Sequence, residues 1–200
     1  APALSNYAAQ IAGYDLLNGV YSYGTGSGVV ELTLSAQVQQ AALEALGDRK
    51  GTVAVYNYKT GQLLCAVTTP TYDPDNVPDI EGDTTGAYEG AYVNRFTQST
   101  YIPGSIFKIV TLAAALEEFP NAEDMTFHCS GELELAGNKI TCEGVHGDQN
   151  LKEAFRNSCN CAFAELTLQL GGEAMEEYVE RFGINESVTF DGIETAEGNY

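Results

Sequence analysis

Two short stretches decide how this chain folds and what it does. The first is Tyr101-Ile102-Pro103-Gly104-Ser105-Ile106-Phe107-Lys108, and the second, later in the chain, is Asn157-Ser158-Cys159-Asn160. They spell S-x-x-K followed by S-x-N. The first stretch opens an apolar run that ends before Pro120, which predicts a helix from Ser105 to Phe119. Because residues i and i+3 share one face of a helix, we expect Lys108 to lie beside Ser105.

A serine and a lysine on one helix face suit acyl transfer. A serine nucleophile needs a base within hydrogen-bond reach and donors for the oxyanion, and a helix N-terminus favours developing negative charge. The apolar neighbours of Lys108 favour its neutral, basic form. Each motif alone is typical of a helix cap. Together, in this order, they predict Ser105 as nucleophile, Lys108 as general base, Ser158 as proton relay and Asn160 as the side chain that holds Lys108 and a substrate carbonyl.

A third motif, Lys59-Thr60-Gly61, stands before the other two. Strand-like residues flank it on both sides, so the sequence predicts a structural hairpin turn there. Acyltransferases with S-x-x-K and S-x-N carry a K-T-G after S-x-N, and residues 163–200 contain none. The catalytic constellation is therefore expected to be incomplete in this chain.

The composition excludes some partners. The chain has 9 basic and 28 acidic residues among 200, a formal net charge of −19. This acidity argues against nucleic acid and against docking on an anionic membrane. No stretch approaches the roughly 20 apolar residues of a membrane span. The chain opens Ala1-Pro2-Ala3 without a methionine, which is typical of an excised or processed segment.

The pattern along the chain is a mixture of helices and strands. Residues 1–28 end in a Gly/Ser-rich run and are predicted to be a flexible connector. The remaining predicted elements are a strand over 29–34, a helix over 36–46 between Ser35 and Gly47, a hairpin over 52–68, a long loop over 70–92, a hairpin over 129–142 with its turn near Gly137-Asn138, a short helix opened by the Asn150–Glu153 capping box, and helices over 160–170 and 173–182.

The five cysteines leave at least one unpaired. Cys65 is expected to be a small core residue. Cys129 and Cys142 bracket a strand-like segment and would form a disulfide in an oxidising compartment. A zinc site from His128, Cys129, Cys142 and His146 is a weaker alternative, because no C-x-x-C pair is present. Cys159 and Cys161 are expected to be packed in the core.

From about Val29 to its C-terminus the chain resembles the transpeptidase domain of the class B penicillin-binding proteins. Within this resemblance, Arg95 of the Asn94-Arg95 pair is expected to order the segment before the nucleophile. Its motifs are Glu31-Leu32-Thr33-Leu34, Gln37-x-x-Gln40, Lys59-Thr60-Gly61, Pro70-Thr71-Tyr72-Asp73-Pro74, Asn94-Arg95, Tyr101-x-Pro103-Gly104-Ser105-x-x-Lys108, Cys129-x-Gly131, Cys142, His146-Gly147 and Ser158-Cys159-Asn160-x-x-Phe163.

The resemblance implies a partial penicillin-binding transpeptidase or serine β-lactamase-like fold of the α/β (α+β) class over residues 29–200. N-terminal sheet strands and the helical subdomain are expected, and the C-terminal strands are expected to be missing. It further implies a peptidoglycan D,D-transpeptidase that acts on D-Ala-D-Ala stem peptides through an acyl-enzyme on Ser105 and is inhibited by β-lactams. It implies no cofactor or metal in the site, and a location outside the cytoplasm with a membrane anchor beyond this chain.

Two other functions compete with this interpretation. A class A β-lactamase would need a glutamate that holds the deacylating water, and Glu165 follows S-x-N too closely for that role. A non-catalytic penicillin-binding or sensor module would keep the reactive serine without turnover. Rapid acylation with no peptide turnover would identify such a module.

Overall fold

The computed structural model of this protein describes residues 14–15, 20–21, 31–190 and 192–200. Most of the predicted connector over residues 1–28 lies outside the described residues, as do Val29 and Val30. Within it, the strands β1 (Tyr14–Asp15) and β2 (Val20–Tyr21) pair antiparallel. The chain divides into a first unit, residues 1–100 with 187–196, and a second unit, residues 101–186 with 197–200.

The first unit is built on a helix and a hairpin. Helix α1 (Ala36–Leu46) begins at Ser35, whose hydroxyl accepts the Val38 N–H, and ends at Gly47 with φ 52°. Strands β3 (Gly51–Tyr56) and β4 (Leu63–Thr69) pair antiparallel, and α1 packs against β4. These elements confirm the helix and hairpin predicted from the sequence.

The strand predicted over 29–34 is wrong for its described part. Residues 31–34 have no regular secondary structure. The segment is attached to β4 by the Thr33 hydroxyl, which donates to the Leu63 carbonyl, and by the Ser35 N–H, which donates to the Leu64 carbonyl at 2.8 Å. The segment therefore lies beside β4, but these two hydrogen bonds do not form the regular ladder that defines a β-strand.

The long loop predicted after β4 is confirmed, and Arg95 attaches it to the end of β4. The Arg95 Nε donates to the Thr69 carbonyl at 3.0 Å, and its Nη2 donates to the Glu89 carbonyl at 3.2 Å. Gly90 has φ 79°, which other residues rarely adopt, and a Cβ there would lie 2.5 Å from Arg95 Nη2 and displace the guanidinium. Arg95 also begins a short helix that the sequence did not predict, α2 (Arg95–Gln98).

Strands β9 (Thr189–Phe190) and β10 (Ile193–Glu194) pair antiparallel and also belong to the first unit.

Two packed helices form the frame of the second unit. A 3₁₀ turn (Gly104–Phe107) leads into α3 (Lys108–Glu118), which packs against the long helix α5 (Asn160–Arg181). The Tyr178 hydroxyl on α5 donates to Glu117 on α3 at 2.9 Å, and Arg181 pairs with the same carboxylate at 2.8 Å. Arg181 and Tyr178 together hold the pKa of Glu117 below its ordinary value. Gly171, with φ 80°, interrupts α5 where the sequence predicted two helices.

Strand pairs lie beside these helices. Strands β5 (Thr126–Cys129) and β8 (Gly147–Asn150) pair antiparallel, and between them β6 (Glu132–Leu135) and β7 (Asn138–Thr141) form the predicted hairpin. Its turn is Ala136-Gly137, both with positive φ, one residue earlier than predicted. The capping box of Asn150 and Glu153 opens α4 (Leu151–Arg156) as predicted, and a further 3₁₀ turn spans Ala122–Asp124.

The core of the second unit is built mainly of small and medium side chains. Its largest buried cluster joins α3, α4, α5 and β5. The cluster contains Ala115, Ala122, Phe127, Cys129, Leu151, Ala154, Cys159, Cys161, Ala162, Phe163 and Leu166. The architecture is thus α+β. Among the described residues, no helix combines the length and apolar character that crossing a membrane requires.

Candidate active site

Ser105 lies in the 3₁₀ turn that precedes α3. The turn begins at Gly104, whose φ of 57° is a conformation that glycine adopts most easily, and nothing would contact a Cβ there. The α-helix itself begins at Lys108 rather than at Ser105. The predicted α-helix from Ser105 to Phe119 is therefore wrong for its first turn, which is a 3₁₀ turn, and is confirmed from Lys108 onward. The exposed serine and the half-buried lysine still share one face.

Lys108 is the centre of the site. Its Nζ lies 3.1 Å from Ser105 Oγ, 3.0 Å from Ser158 Oγ and 2.9 Å from the Ser158 carbonyl oxygen. It also lies 2.7 Å from Asn160 Oδ1 and 5.9 Å from the centre of the Phe163 ring. The structure thus brings together all four residues that the sequence singled out.

The backbone at the start of α5 positions Ser158. Ser158 has φ 50°, a left-handed conformation that is rare for residues other than glycine. Such strain persists only where the surrounding structure enforces it, and it is frequent at functional sites. Here it directs both the Ser158 carbonyl and its hydroxyl toward Lys108, and the hydroxyl lies 3.0 Å from Ser105 Oγ.

Asn160 is held from three sides. Its Nδ2 donates to the Thr141 carbonyl at 2.9 Å, its backbone N–H donates to Cys142 Sγ at 3.3 Å, and its Oδ1 accepts from Lys108. The amide oxygen therefore faces the lysine, and the amide nitrogen faces a carbonyl, as their hydrogen-bonding capacities require. Sequence reasoning missed the contribution of Thr141, because a backbone carbonyl leaves no mark in the sequence.

An open cleft with a volume of about 810 Å³ begins at Ser105, Lys108 and Asn160. One wall is the tip of the β6–β7 hairpin, and another is the face of α5 that runs to Gly171. Tyr200 stacks on Phe107 at the cleft, with ring centres 5.5 Å apart. The size falls within the range of roughly 300–1,000 Å³ that is typical of ligand sites.

The K-T-G sequence at Lys59 forms the turn between β3 and β4 in the first unit. The Asn57 carbonyl accepts the N–H groups of Thr60 and Gly61, and Asn57 Oδ1 accepts the Lys59 N–H. The Lys59 ammonium is exposed and lies 5.7 Å from the centre of the Tyr58 ring. The prediction of a structural hairpin turn is confirmed.

A cluster of sulfur and imidazole groups lies next to S-x-N. Ligand atoms of Cys129, Cys142, His146 and Cys159 all lie within 4.8 Å of one another. This set corrects the zinc ligands proposed from the sequence, since Cys159 takes the place of His128. Neighbouring residues of a strand face opposite sides, so His128 points away from Cys129 and instead pairs with Asp148 at 2.6 Å. All five cysteines are free, so the predicted Cys129–Cys142 disulfide is not formed in this structure.

A thiol of this cluster, Cys129, and a neighbouring thiol outside it, Cys161, differ in acidity. Burial alone would raise the pKa of Cys129, but backbone hydrogen bonds from His146 and Gly131 outweigh it and lower the pKa to about 7. Burial, followed by the hydrogen bond to Cys129, raises the pKa of Cys161 to about 12. Cys129 therefore ionises more easily than Cys161. Cys161 is buried in the core, as the sequence predicted.

Comparison with known proteins decides the family. A family model for the penicillin-binding protein transpeptidase domain matches residues 51–200. The chain belongs to this family. The resemblance recognised in the sequence motifs is therefore confirmed.

Curated relatives are considerably longer than this chain. Stage V sporulation protein D of Bacillus subtilis is 34% identical over 172 residues, which cover 81% of this chain and 26% of that protein. Peptidoglycan D,D-transpeptidase PbpA of Mycobacterium tuberculosis is 30% identical over 194 residues, which cover 85% of this chain and 38% of that protein. The chain thus spans between about a quarter and two fifths of the length of these relatives.

Solved structures support the fold. A D,D-transpeptidase domain from Eggerthella lenta superimposes with a TM-score of 0.74 at 34% identity, and the match covers 82% of this chain and 40% of that one. Penicillin-binding protein A of M. tuberculosis, solved as an imipenem acyl-enzyme complex, gives a TM-score of 0.73 at 26% identity, with coverage of 96% and 47%. The predicted partial transpeptidase fold is confirmed.

Proposed function

We propose that this chain carries the nucleophile half of a peptidoglycan D,D-transpeptidase site. In this proposal Ser105 is the nucleophile, Lys108 the general base, Ser158 a proton relay, and Asn160 the side chain that positions Lys108 and a substrate carbonyl. The observation that carries the proposal is the set of four oxygen atoms around Lys108 Nζ, from Ser105, Ser158 and Asn160.

The hydrogen-bonding groups around Lys108 allow it to act as a base. The Ser158 carbonyl and Asn160 Oδ1 can only accept, whereas the hydroxyls of Ser105 and Ser158 can donate or accept. A neutral amine donates two hydrogen bonds and accepts one. It therefore satisfies both obligate acceptors and keeps its lone pair for a serine proton.

The chemical steps follow from this arrangement. Lys108 takes the Ser105 proton as Oγ bonds to the carbonyl carbon of the penultimate D-Ala, giving a tetrahedral oxyanion. The intermediate collapses, the C–N bond to the terminal D-Ala breaks, and the leaving amine receives a proton. Ser158 Oγ, 3.0 Å from both Ser105 Oγ and Lys108 Nζ, provides the route for that proton. An amine from a second stem peptide then attacks the acyl-enzyme and forms the cross-link.

The oxyanion needs donors that this chain supplies only in part. The Ser105 N–H belongs to the first turn of a helix, where N–H groups lack intrahelical partners, and so can supply one. We propose that a second donor and a clamp for the substrate carboxylate come from a K-T-G strand outside these residues. Without that strand, acylation and peptide turnover by these 200 residues would then be strongly impaired.

We also propose stem peptides as substrates and β-lactams as inhibitors that acylate Ser105. The support is that a relative is named a peptidoglycan D,D-transpeptidase and that a related structure is an imipenem acyl-enzyme complex. Since peptidoglycan lies outside the cytoplasmic membrane, we propose that the site lies on the outer face of that membrane. We propose that the membrane anchor lies outside these 200 residues.

The experiment is turnover of a D-Ala-D-Ala stem peptide with an acceptor amine, followed by D-alanine release and by mass spectrometry of the cross-linked product. It uses this chain and a longer chain that includes a K-T-G strand after S-x-N. We expect turnover by the longer chain and its loss in Ser105→Ala. Rapid penicillin acylation without any peptide turnover by the longer chain would replace the proposal with a penicillin-binding sensor module.

A further inference from the structure

The four-residue cluster beside S-x-N has the geometry of a metal site. Cys142 Sγ lies 3.9 Å from Cys159 Sγ and 3.5 Å from His146 Nδ1. With Zn–S bonds of about 2.3 Å and Zn–N bonds of about 2.1 Å, tetrahedral angles place sulfurs about 3.8 Å apart and sulfur and nitrogen about 3.6 Å apart. Both observed separations agree with these values to within about 0.1 Å. A disulfide would need about 2.05 Å between sulfurs.

The ligands come from four different places in the second unit. Cys129 ends β5, Cys142 follows β7, His146 precedes β8, and Cys159 is the N-cap of α5. Cys129 lies opposite Gly147 in the β5–β8 ladder, which brings His146 close to Cys129. A single ion at the centre of the four ligands would cross-link both strand pairs to the start of α5.

Two of the three sulfur atoms also accept backbone hydrogen bonds from the start of α5. Asn160 N–H donates to Cys142 Sγ at 3.3 Å, and Ala162 N–H donates to Cys159 Sγ at 3.4 Å. Backbone N–H groups that point at sulfur stabilise its anionic form and orient it, as outer-shell partners do in metal sites.

Core packing alone explains this cluster less well. A free cysteine usually behaves as a small apolar residue, and Cys129 and Cys159 are indeed fully buried. Packing does not account for a half-buried imidazole whose Nδ1 faces a sulfur, or for four ligand atoms that converge within 4.8 Å.

We propose that Cys129, Cys142, His146 and Cys159 bind one structural zinc ion. The ion completes a Cys₃His site and holds the turn that carries the S-x-N side chains. Cys159 lies between Ser158 and Asn160, so a metal bond to its sulfur fixes the backbone on both sides. The Asn160 N–H bond to Cys142 adds a second link from the metal ligands to the catalytic asparagine.

Metal content is the first test. The protein is purified under reducing conditions, without a histidine tag, from zinc-supplemented cells, and its zinc is measured by elemental analysis. We expect about one zinc per chain and, after exchange, a cobalt form with thiolate charge-transfer bands and strong tetrahedral d–d bands. Cys129→Ser should weaken zinc binding by more than roughly 100-fold, since even an outer-shell change costs 10- to 100-fold.

Cys161→Ala is the matched control. Cys161 is equally buried and lies two residues after Cys159, but it is not one of the four ligands. It should retain zinc and the cobalt spectrum. Reduced protein without zinc, an octahedral cobalt spectrum, or equal zinc in wild type and Cys129→Ser would overturn the proposal. A Cys142–Cys159 disulfide in protein isolated under native conditions would overturn it as well.

The link to the catalytic turn rests on the proposed function and has its own readout. Removal of zinc with a chelator should slow penicillin acylation of the longer chain, and added zinc should restore the rate. Zinc bound stoichiometrically, with acylation unchanged by its removal, would overturn the positioning role while the metal site itself stands. Absence of acylation with a tetrahedral cobalt spectrum would instead count against the proposed function.

Discussion

Lys108 and Lys59 both stand in sequence motifs of serine acyltransferases, but their surroundings differ completely. Lys108, in the second unit, is half-buried and faces oxygens of Ser158 and Asn160, 50 and 52 residues away along the chain. Lys59, in the first unit, is exposed, and its neighbours Asn57 and Tyr58 belong to the same turn. A motif thus becomes a site when distant parts of the chain supply partners for it.

The largest effect should come from replacing each lysine with arginine. Arginine keeps the positive charge but cannot lose its proton, so Lys108→Arg should lower the rate of penicillin acylation of the longer chain by roughly 10²- to 10⁴-fold. Lys59→Arg should leave the rate unchanged. Stopped-flow or gel-based labelling with a fluorescent penicillin measures both. Equal rates for the two variants would remove the distinction between the two lysines.

An asparagine near each lysine, Asn160 near Lys108 and Asn57 near Lys59, provides a second contrast. Asn160→Ala removes the Oδ1 contact to Lys108 and the bond to the Thr141 carbonyl. A hydrogen bond between uncharged groups contributes about 0.5–1.5 kcal/mol, so the loss of both should lower the acylation rate roughly 5- to 150-fold. Asn57→Ala is the control and should affect only its local turn. A rate for Asn160→Ala within twofold of wild type would contradict the role given to Asn160.

The free energy of unfolding should also depend on a contact between residues distant in sequence, in the second unit, and hardly at all on a local contact in the Lys59-Thr60-Gly61 turn. Tyr178→Phe removes a hydrogen bond between α5 and α3, from a buried ring, and should lower the free energy of unfolding by about 1 kcal/mol. Thr60→Ala removes only an exposed contact to Gln62, two residues away, and should have almost no effect. Denaturant titrations compare the two, and a larger loss for Thr60→Ala would contradict the account.

The smallest effect concerns a contact that is distant in sequence but exposed. The hydrogen bond and charge of Asp148 raise the pKa of His128 above its ordinary value of about 6.5. The pair therefore stabilises the fold fully below pH 6.5, and this contribution disappears as the pH rises through the higher folded pKa. NMR titration should show the His128 pKa raised, and Asp148→Asn should return it toward the ordinary value. An unshifted wild-type pKa would show that exposure cancels the pairing.

Much of the local structure could be predicted from the sequence. Ser35 and Gly47 mark the ends of α1, the Asn150–Glu153 box marks the start of α4, and Gly171 interrupts α5. These signals act within a few residues. The strand over 29–34 failed because pairing depends on a partner that local alternation does not specify.

The side chains of the candidate site could be predicted from the sequence, but the backbone groups that position them could not. The order of S-x-x-K and S-x-N identified Ser105, Lys108, Ser158 and Asn160. The Thr141 carbonyl and the left-handed backbone of Ser158 depend on tertiary contacts. The sequence suggested a metal site only as the weaker alternative, with His128 in place of Cys159. That ligand set was wrong because residues adjacent in a strand face opposite sides, and because Cys159, 17 positions beyond Cys142, completes the group.

The most direct measurement is the intact mass of the chain after incubation with benzylpenicillin, with peptide mapping of any adduct. We expect one adduct on Ser105 in the longer chain and none in Ser105→Ala. In the 200-residue chain, the adduct should form at least roughly 10²-fold more slowly, the typical effect of one lost oxyanion donor. An adduct on another residue, or none on the longer chain, would contradict the assignment of Ser105 and Lys108 as the acylation site.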